Sequence, residues 1–391
     1  MNVFDRRYEL MPRAELEQLQ LERLQAMLVR LKRNVRRHRE LIGETRLGSL
    51  ADLSRLPLTA PEDLAQSFPY GMFALPLREV IRLDSIAGPG GQPLVIGHTR
   101  NDLAQWGRLV ARQLVASGVT ANDVIQFCAG GGGLRSVSGY MLGAEVIEAS
   151  VIGDDPFHID YQLAMLQSYR PTVLVTTPSN ANGLIHMMAQ RKIDPQSLQL
   201  RSILLSRPVD QATREQLQSG LFAAVRCNFG VGEILDPGLS VECQAGQFHA
   251  HEDQFLVEIV DGELVVTTLC REAMPLLRFR TRVACEISRE KCSCGRTGVI
   301  LKPGRRLDHR VLVHETPLYE GQIAGVLAQS RAAGQPFEIK VHERHVEIQI
   351  RMNSTLFTDM VWPIENLRHE IESEFLARLG IAAQVRFVAP R

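Results

Sequence analysis

The chain has 391 residues, 45% of them hydrophobic, enough for two or three domains with a large buried core. Lys plus Arg and Asp plus Glu both number 44, so the net charge is zero and gives no global pull towards nucleic acid or an anionic membrane. No run of about 18 apolar residues is present, MNVFDRRYELMPR has no apolar leader, and 7 scattered cysteines do not make a secreted disulfide framework; a cytoplasmic, reducing compartment is expected.

From the N-terminus, Leu21, Leu24, Leu28, Leu31 and Val35 recur at three- and four-residue steps. That spacing predicts an amphipathic helix, with the arginines of RLKRNVRRHRE on its wet face rather than on a nucleic acid. LPLTAPEDL puts Thr59 and Glu62 at capping-box spacing with Pro61 in the first turn, so a helix is expected to begin there. From about Glu79, short apolar runs alternate with helical stretches. DVIQFCA leads into the glycines 130–133, TVLVTTPSNANGL reads as strand, turn and helix, and LRSILLSRP and AAVRCNFG read as strands ending in turns. The rhythm predicts an α/β sheet with ligand loops at its strand ends. FLVEIVDGELVVTTL predicts a hairpin turning at Asp261 and Gly262. Beyond KPGRRLDHR come a helix from Tyr319, strands FEIKVHE and HVEIQIRM, a long helix ending before Gly380, and strand QVRFVA. This α-β-β-α-β order predicts a small second domain, residues 305–391, behind a hinge at 304–306, with residues 1–304 forming the first.

The stretches LPLTAPEDLAQSFPYGMFALPLREVIRLDSIAGPGGQPLVIGHTRNDL, NFGVGEILDPGLSVEC, GELVVTTLCREAMPLLRFRTR and CSCGRTG occur in the order found in phenylacetate–CoA ligases. The chain resembles that family of adenylate-forming enzymes over nearly its whole length. The resemblance implies an α/β fold: a large N-terminal adenylate-forming domain with mixed sheets, followed by a small α+β C-terminal lid domain. It implies that a small-molecule carboxylate, aromatic or similar, is activated by ATP to an acyl-adenylate, with Mg²⁺ spreading the phosphate charge, and that the acyl group passes to CoA or to a partner enzyme. A homodimer is expected.

On this resemblance Gly88, Gly90 and Gly91 approach the phosphates of ATP, and Ser206, Arg207 and Pro208 match the adenine strip. Asn228, Phe229 and Gly230 belong to the second nucleotide motif, with Phe229 against the adenine; Glu233 matches the magnesium-linked glutamate and Arg305 a cation at the hinge. Phe127, Gly130, Gly131 and Tyr140 match the acyl pocket.

Several positions depart from the family pattern. Where the family has S-S-G-T-T-G-K-P, this chain runs from Ile86 to Pro93; the threonine hydroxyls are gone, Gln92 replaces the lysine and Pro89 removes a backbone donor. Gly232 replaces the hydroxyl before Glu233. Val283 stands where R-T-R-D supplies the acceptor for both ribose hydroxyls, a loss of roughly 2–5 kcal/mol in a dry site. HETPLYE, residues 314–320, stands where a glycine-rich thiolation loop is expected, and the sequence ends in FVAPR without the family's adenylation lysine. Two readings follow: an adenylate-forming enzyme, or a degenerate non-catalytic relative acting as a ligand-binding or scaffolding subunit.

Cys243 and His249 lie in ECQAGQFHAHED, and Cys292 and Cys294 in KCSCGRTG. Relatives carry a structural zinc at comparable positions, so the resemblance implies Zn²⁺ here, with three thiolates and one imidazole as a closed tetrahedral set. A C-x-C alone is a weak signal and would also admit unrelated reduced side chains; with the resemblance, zinc is the favoured expectation. His251 is the reserve ligand; Cys128, Cys227, Cys270 and Cys285 are expected in the core.

Overall fold

The computed structural model describes residues 2–89, 92–128, 134–153, 158–308, 310–313, 316–342, 345–351 and 361–388. The chain forms two compact units, Met1–Ile86 with Leu94–Leu307, and Ala87–Pro93 with Asp308–Arg391. No helix among the described residues is long and apolar enough to cross a membrane.

The first unit opens with helices α1 (Arg6–Glu9), α2 (Arg13–Asn34), α3 (Arg36–Ile42) and α4 (Pro61–Gln66). The leucine stripe behaves as its spacing dictates: Leu24, Leu28, Leu31 and Val35 are buried, joined by Leu16 and Met27, while Leu21 is only half-buried. The basic run is less solvated than its composition suggests. Arg33 and Arg36 are exposed, but Arg30 donates to Arg271 O at 3.1 Å and Arg37 pairs with Asp63. At α4 the cap lies one residue later than expected. Ala60 is the cap residue, its N–H held by Asp63 Oδ2 at 2.8 Å, with Pro61 at the first helical position. Thr59 instead donates its hydroxyl to Leu277 O at 2.7 Å, and Glu62 pairs with Arg282 at 2.9 Å.

Strands β1 (Arg82–Ile86) and β2 (Leu94–His98) pair antiparallel. The parallel sheet comprises β3 (Val124–Cys128), β4 (Ser150–Ile152), β5 (Val173–Thr176), β6 (Ser202–Leu205) and β7 (Ala224–Cys227), in the order β4-β3-β5-β6-β7. It alternates with α5 (Arg100–Ala116), α6 (Leu134–Val146), α7 (Ile159–Tyr169), α8 (Pro178–Arg191) and α9 (Gln211–Leu221). Its central strands β3, β5 and β6 are buried on both faces, as such crossovers require, while the edge strand β4 is largely exposed. An antiparallel sheet follows: β8 (Ser240–Glu242), β9 (Phe248–Ala250), β10 (Phe255–Val260), β11 (Glu263–Thr268), β12 (Phe279–Ser288) and β13 (Ile300–Arg306), ordered β10-β11-β12-β13-β9-β8. Asp261 and Gly262 turn the β10–β11 hairpin with φ of 52° and 76°, the doubly positive turn that suits strand twist.

The N-terminal segment straps onto this antiparallel sheet. Arg13 grips Glu252 with Nη2 2.8 Å from Oε1, Gln20 Nε2 donates to Glu252 O at 2.8 Å, and buried Arg296 meets buried Glu9 at 2.8 Å. Arg112 forks onto Asp253 at 2.7 and 3.1 Å. Burial would raise the Asp253 carboxyl, but the Arg112 charge outweighs it and holds the group below its usual range.

The expected hinge at 304–306 lies inside β13, which pairs with β12 as far as Arg306 opposite Val283. Gly304 sits where the register shifts between Val283 and Cys285, and a Cβ there would stand 3.2 Å from Ala284 O; it is a close-approach glycine, not a pivot. Leu307 N still donates to Arg282 O at 2.8 Å, so the division falls after Leu307.

In the second unit β14 (Val311–Val313) and β15 (Thr316–Leu318) form a hairpin before α10 (Glu320–Leu327). β16 (Phe337–Val341), β17 (His345–Arg351) and β18 (Ala382–Val388) make one sheet, and α11 (Val361–Leu379) provides the parallel crossover from β17 to β18. Its own core includes Ile323, Ile348, Ile371 and Phe375.

Candidate functional site

The parallel strands end in a set of polar groups with unmet hydrogen-bonding capacity. β6 runs into Ser206, whose N–H donates to Thr176 O at 2.9 Å, and β7 runs into Asn228, whose N–H donates to Leu205 O at 2.8 Å. Asn228 Nδ2 then bridges Ser206 O at 3.2 Å and Asp236 Oδ1 at 2.5 Å. Between them, a tight turn from Val231 to Leu235 carries Glu233. Glu233 is 2% exposed, so it is no solvated turn carboxylate. Among the described residues, Ser206 Oγ, Asn228 Oδ1 and Glu233 Oε2 are buried and have no hydrogen-bond partner. Each such orphan costs about 1–3 kcal/mol, which a bound ligand with matching donors or a cation recovers.

Gly230 is required by its neighbour, since a Cβ there would lie 2.4 Å from Asp236 Oδ1. Phe229 does not present its ring to an open cleft: it is 5% exposed and packs edge-on against Phe248 with centroids 6.1 Å apart. Arg207 and Pro208 continue the strip after Ser206, and Gly88 is buried ahead of Pro89. Gly90, Gly91, Gly130 and Gly131 lie outside the described residues.

Phe127 at the end of β3 and Tyr140 on α6 come together, centroids 6.4 Å apart, both nearly fully buried. The Tyr140 hydroxyl accepts from Gln113 Nε2 at 3.2 Å, and burial pushes the phenol above its ordinary value. Arg305 is exposed on β13. Val283 is buried on β12, and its arginine neighbours serve Glu263: Arg280 Nε lies 2.7 Å from Oε2, and Arg282 N 2.6 Å from Oε1. The bracing Asp236, eight residues from its partner Asn228, escaped the sequence analysis. A rigid N-F-G turn needing a distant carboxylate was its only signal.

A second cluster lies between the β8–β9 hairpin and the β12–β13 loop. Cys243, His249, Cys292 and Cys294 offer four ligand atoms all within 4.8 Å of one another. Cys243 Sγ lies 3.7 Å from Cys292 Sγ, and Cys294 Sγ lies 3.3 Å from His249 Nε2. A tetrahedral ion with 2.3 Å thiolate arms separates two sulfurs by about 3.8 Å. His249 Nδ1 lies 2.8 Å from Gly298 O; donation there leaves the Nε2 lone pair facing the cluster. Burial pushes the Cys243 thiol up to about 11. At Cys292 burial also raises the thiol, but the Cys294 N–H and nearby thiols outweigh it and lower the group overall. These donors fit a soft tetrahedral metal. His251 stands apart, its Nδ1 3.5 Å from Arg112 Nη1. Cys128, Cys227 and Cys285 are buried and Cys270 half-buried, as expected of core residues.

No protein-family model matches the chain. Phenylacetate-coenzyme A ligase of Thermus thermophilus is 31% identical over 98% of this chain and 94% of its own length. The Aromatoleum evansii protein of that name is 28% identical over 96% and 91%. Among solved structures, 2-hydroxyisobutyryl-CoA ligase in complex with 2-HIB-AMP and CoA has a TM-score of 0.91 at 21% identity, covering 100% of this chain and 90% of that one. The amide bond synthetase McbA of Marinactinospora thermotolerans reaches 0.58 at 15% identity, covering 80% and 66%.

Proposed function

The chain belongs to the phenylacetate-coenzyme A ligase family, and from that premise we propose that it is an adenylate-forming acyl-CoA ligase acting on a small carboxylate of the aromatic class. One carboxylate oxygen attacks the α-phosphorus of ATP, pyrophosphate leaves, and a CoA thiolate then displaces AMP from the acyl carbon. The observation that carries this reading is the buried acceptor set of Ser206, Asn228 and Glu233 at the strand ends, where open α/β sheets bind nucleotides. Ser206 Oγ and Asn228 Oδ1 are available to the adenine, and Glu233 Oε2 to Mg²⁺, which when bound spreads the phosphate charge. By the family resemblance the phosphates fall to the backbone of the glycine loop, and Phe127 and Tyr140 wall the acyl group. Buried orphan acceptors argue for a bound ligand and against a scaffold stripped of its site.

Cys243, His249, Cys292 and Cys294 hold a structural zinc in this reading, closed to substrate and pinning two loops. Seven cysteines without a disulfide support a reducing, cytoplasmic setting. A homodimer, and hand-over to a partner enzyme, are extensions of the family reading.

The test is ATP–pyrophosphate exchange across a panel of aromatic and aliphatic carboxylates, repeated as thioester formation with CoA. Glu233→Gln should lower the rate roughly 100-fold while AMP still binds. Exchange with no carboxylate, in a protein that melts cooperatively, would overturn the reading.

A further inference from the structure

The strands flanking Ala87–Pro93 meet at their far end in a buried polar cluster. β1 and β2 pair with Ile86 opposite Leu94 and Arg82 opposite His98. His98 is fully buried. Arg271, also buried, brings Nη1 to 3.1 Å from His98 Nδ1 and donates Nη2 to Gly97 O at 3.0 Å. A guanidinium only donates, so His98 Nδ1 must carry the lone pair and its ring proton sits on Nε2. Nε2 lies 3.0 Å from Asp84 Oδ2, and Asp84 Oδ1 accepts from Arg82 Nε at 3.0 Å.

Arg271 thus donates to His98 Nδ1, while the Asp84 carboxylate, held by Arg82, stands beside Nε2 in a close polar contact without hydrogen-bond alignment. This arrangement admits one tautomer, because an N–H on Nδ1 would point at a buried cation.

The face of the same ring stacks on Trp106, with centroids 5.4 Å apart and planes 11° from parallel. Trp106 Nε1 donates to Pro237 O at 2.6 Å, next to the Asp236 that braces Asn228. The indole has no room to move: a Cβ on Gly139 would stand 2.7 Å from it, and one on Gly238 3.4 Å.

We infer that His98 is a positioning residue for the nucleotide: fixed by Arg271 at the base of the β1–β2 pair, beside Asp84, it holds, through Trp106, the Asp236–Pro237 turn that supports Asn228. The role rests on the reading of the strand-end cluster as the ATP site. His98 touches no reacting atom; it acts through the indole and the turn.

The experiment measures ATP–pyrophosphate exchange with whichever carboxylate of the panel is fastest, resolving KM for ATP from kcat, in wild type, His98→Ala, His98→Gln and Trp106→Phe. Thermal midpoints are taken for each, and the His98 tautomer is read from long-range ¹⁵N–¹H ring correlations. His98→Ala should raise KM for ATP roughly tenfold and leave KM for the carboxylate near wild type. His98→Gln, which keeps an N–H towards Asp84, should recover most of that loss. Trp106→Phe keeps the stack but loses the bond to Pro237 and should raise KM for ATP roughly threefold. If the alanine variant does not fold, the glutamine and phenylalanine variants decide. An active wild type whose folded variants keep its KM for ATP overturns the role of His98 alone, whatever happens to their midpoints, as does an Nδ1–H tautomer. A wild type silent with every carboxylate removes the adenylation reading, and this role falls with it.

Discussion

His38 on α3 is 1% exposed, with Nε2 3.5 Å from the Thr59 hydroxyl. Burial, reinforced by the Arg37 charge and opposed by Asp63, pushes its imidazole down to about 4. An unfolded histidine titrates near 6.5, so between those values the unfolded chain binds a proton that the native one refuses. The neutral ring therefore contributes stability that is present above about pH 6.5 and lost as pH falls towards 4, by up to about 3 kcal/mol. Urea midpoints at falling pH should drop more steeply for wild type than for His38→Gln; parallel curves would exclude this histidine as the source. Val283 makes the opposite kind of residue: an apolar side chain that the family pattern has as a carboxylate. Val283→Asp should cost about 1–3 kcal/mol without nucleotide, because the position is buried, and should tighten AMP roughly tenfold by supplying a ribose acceptor. Thermal melts with and without AMP separate the two effects, and an AMP affinity that does not move would place the ribose elsewhere.

At the scale of elements, the Cys/His cluster joins a hairpin to the loop between Ser288 and Ile300, where the β12–β13 ladder is interrupted. Purified protein should carry one zinc per chain by elemental analysis. Stripping it with a thiol reagent should lower the melting midpoint by roughly 5–10 °C and open the loop at residues 289–298 to protease. Metal-free protein with an unchanged midpoint would make the four side chains ordinary reduced neighbours. This cluster could be anticipated because C-x-C is a local signal and the family order supplied its partners. Four of the five strands of the parallel sheet were legible for a related reason: each is an apolar run stopped by turn residues, as at Leu205 before Ser206 and Cys227 before Asn228, whereas the short edge strand β4, Ser150–Ile152, was not. What escaped was pairing over distance. Arg271 reaches His98 across 173 residues, and nothing in either neighbourhood marks the other. Gly304 misled because glycine signals both freedom and close approach, and only the strand beside it decides which.

At the scale of the molecule, each unit has a core of its own, and that of the second contains Val313, Leu318, Ile323, Ile348, Ile350, Ile371 and Phe375. A fragment spanning residues 308–391 should therefore fold alone and melt cooperatively in urea, at a size within the ordinary domain range. A fragment with dispersed NMR resonances meets that expectation; one that stays a random coil would show that its core needs the first unit.

The strap of N-terminal residues over the antiparallel sheet imposes an order in time. Arg13 and Glu252 lie 239 residues apart, which at ribosomal speeds of roughly 5–20 residues per second separates their synthesis by about 12–48 s. For that interval the N-terminal part of α2 lacks the sheet it straps onto, and Arg13 and Arg23 lack the carboxylates of Glu252 and Asp253, which have yet to be translated. The nascent chain is thus a natural client for chaperones that shelter apolar segments, and a fast-translating host should return more aggregate than a slow one.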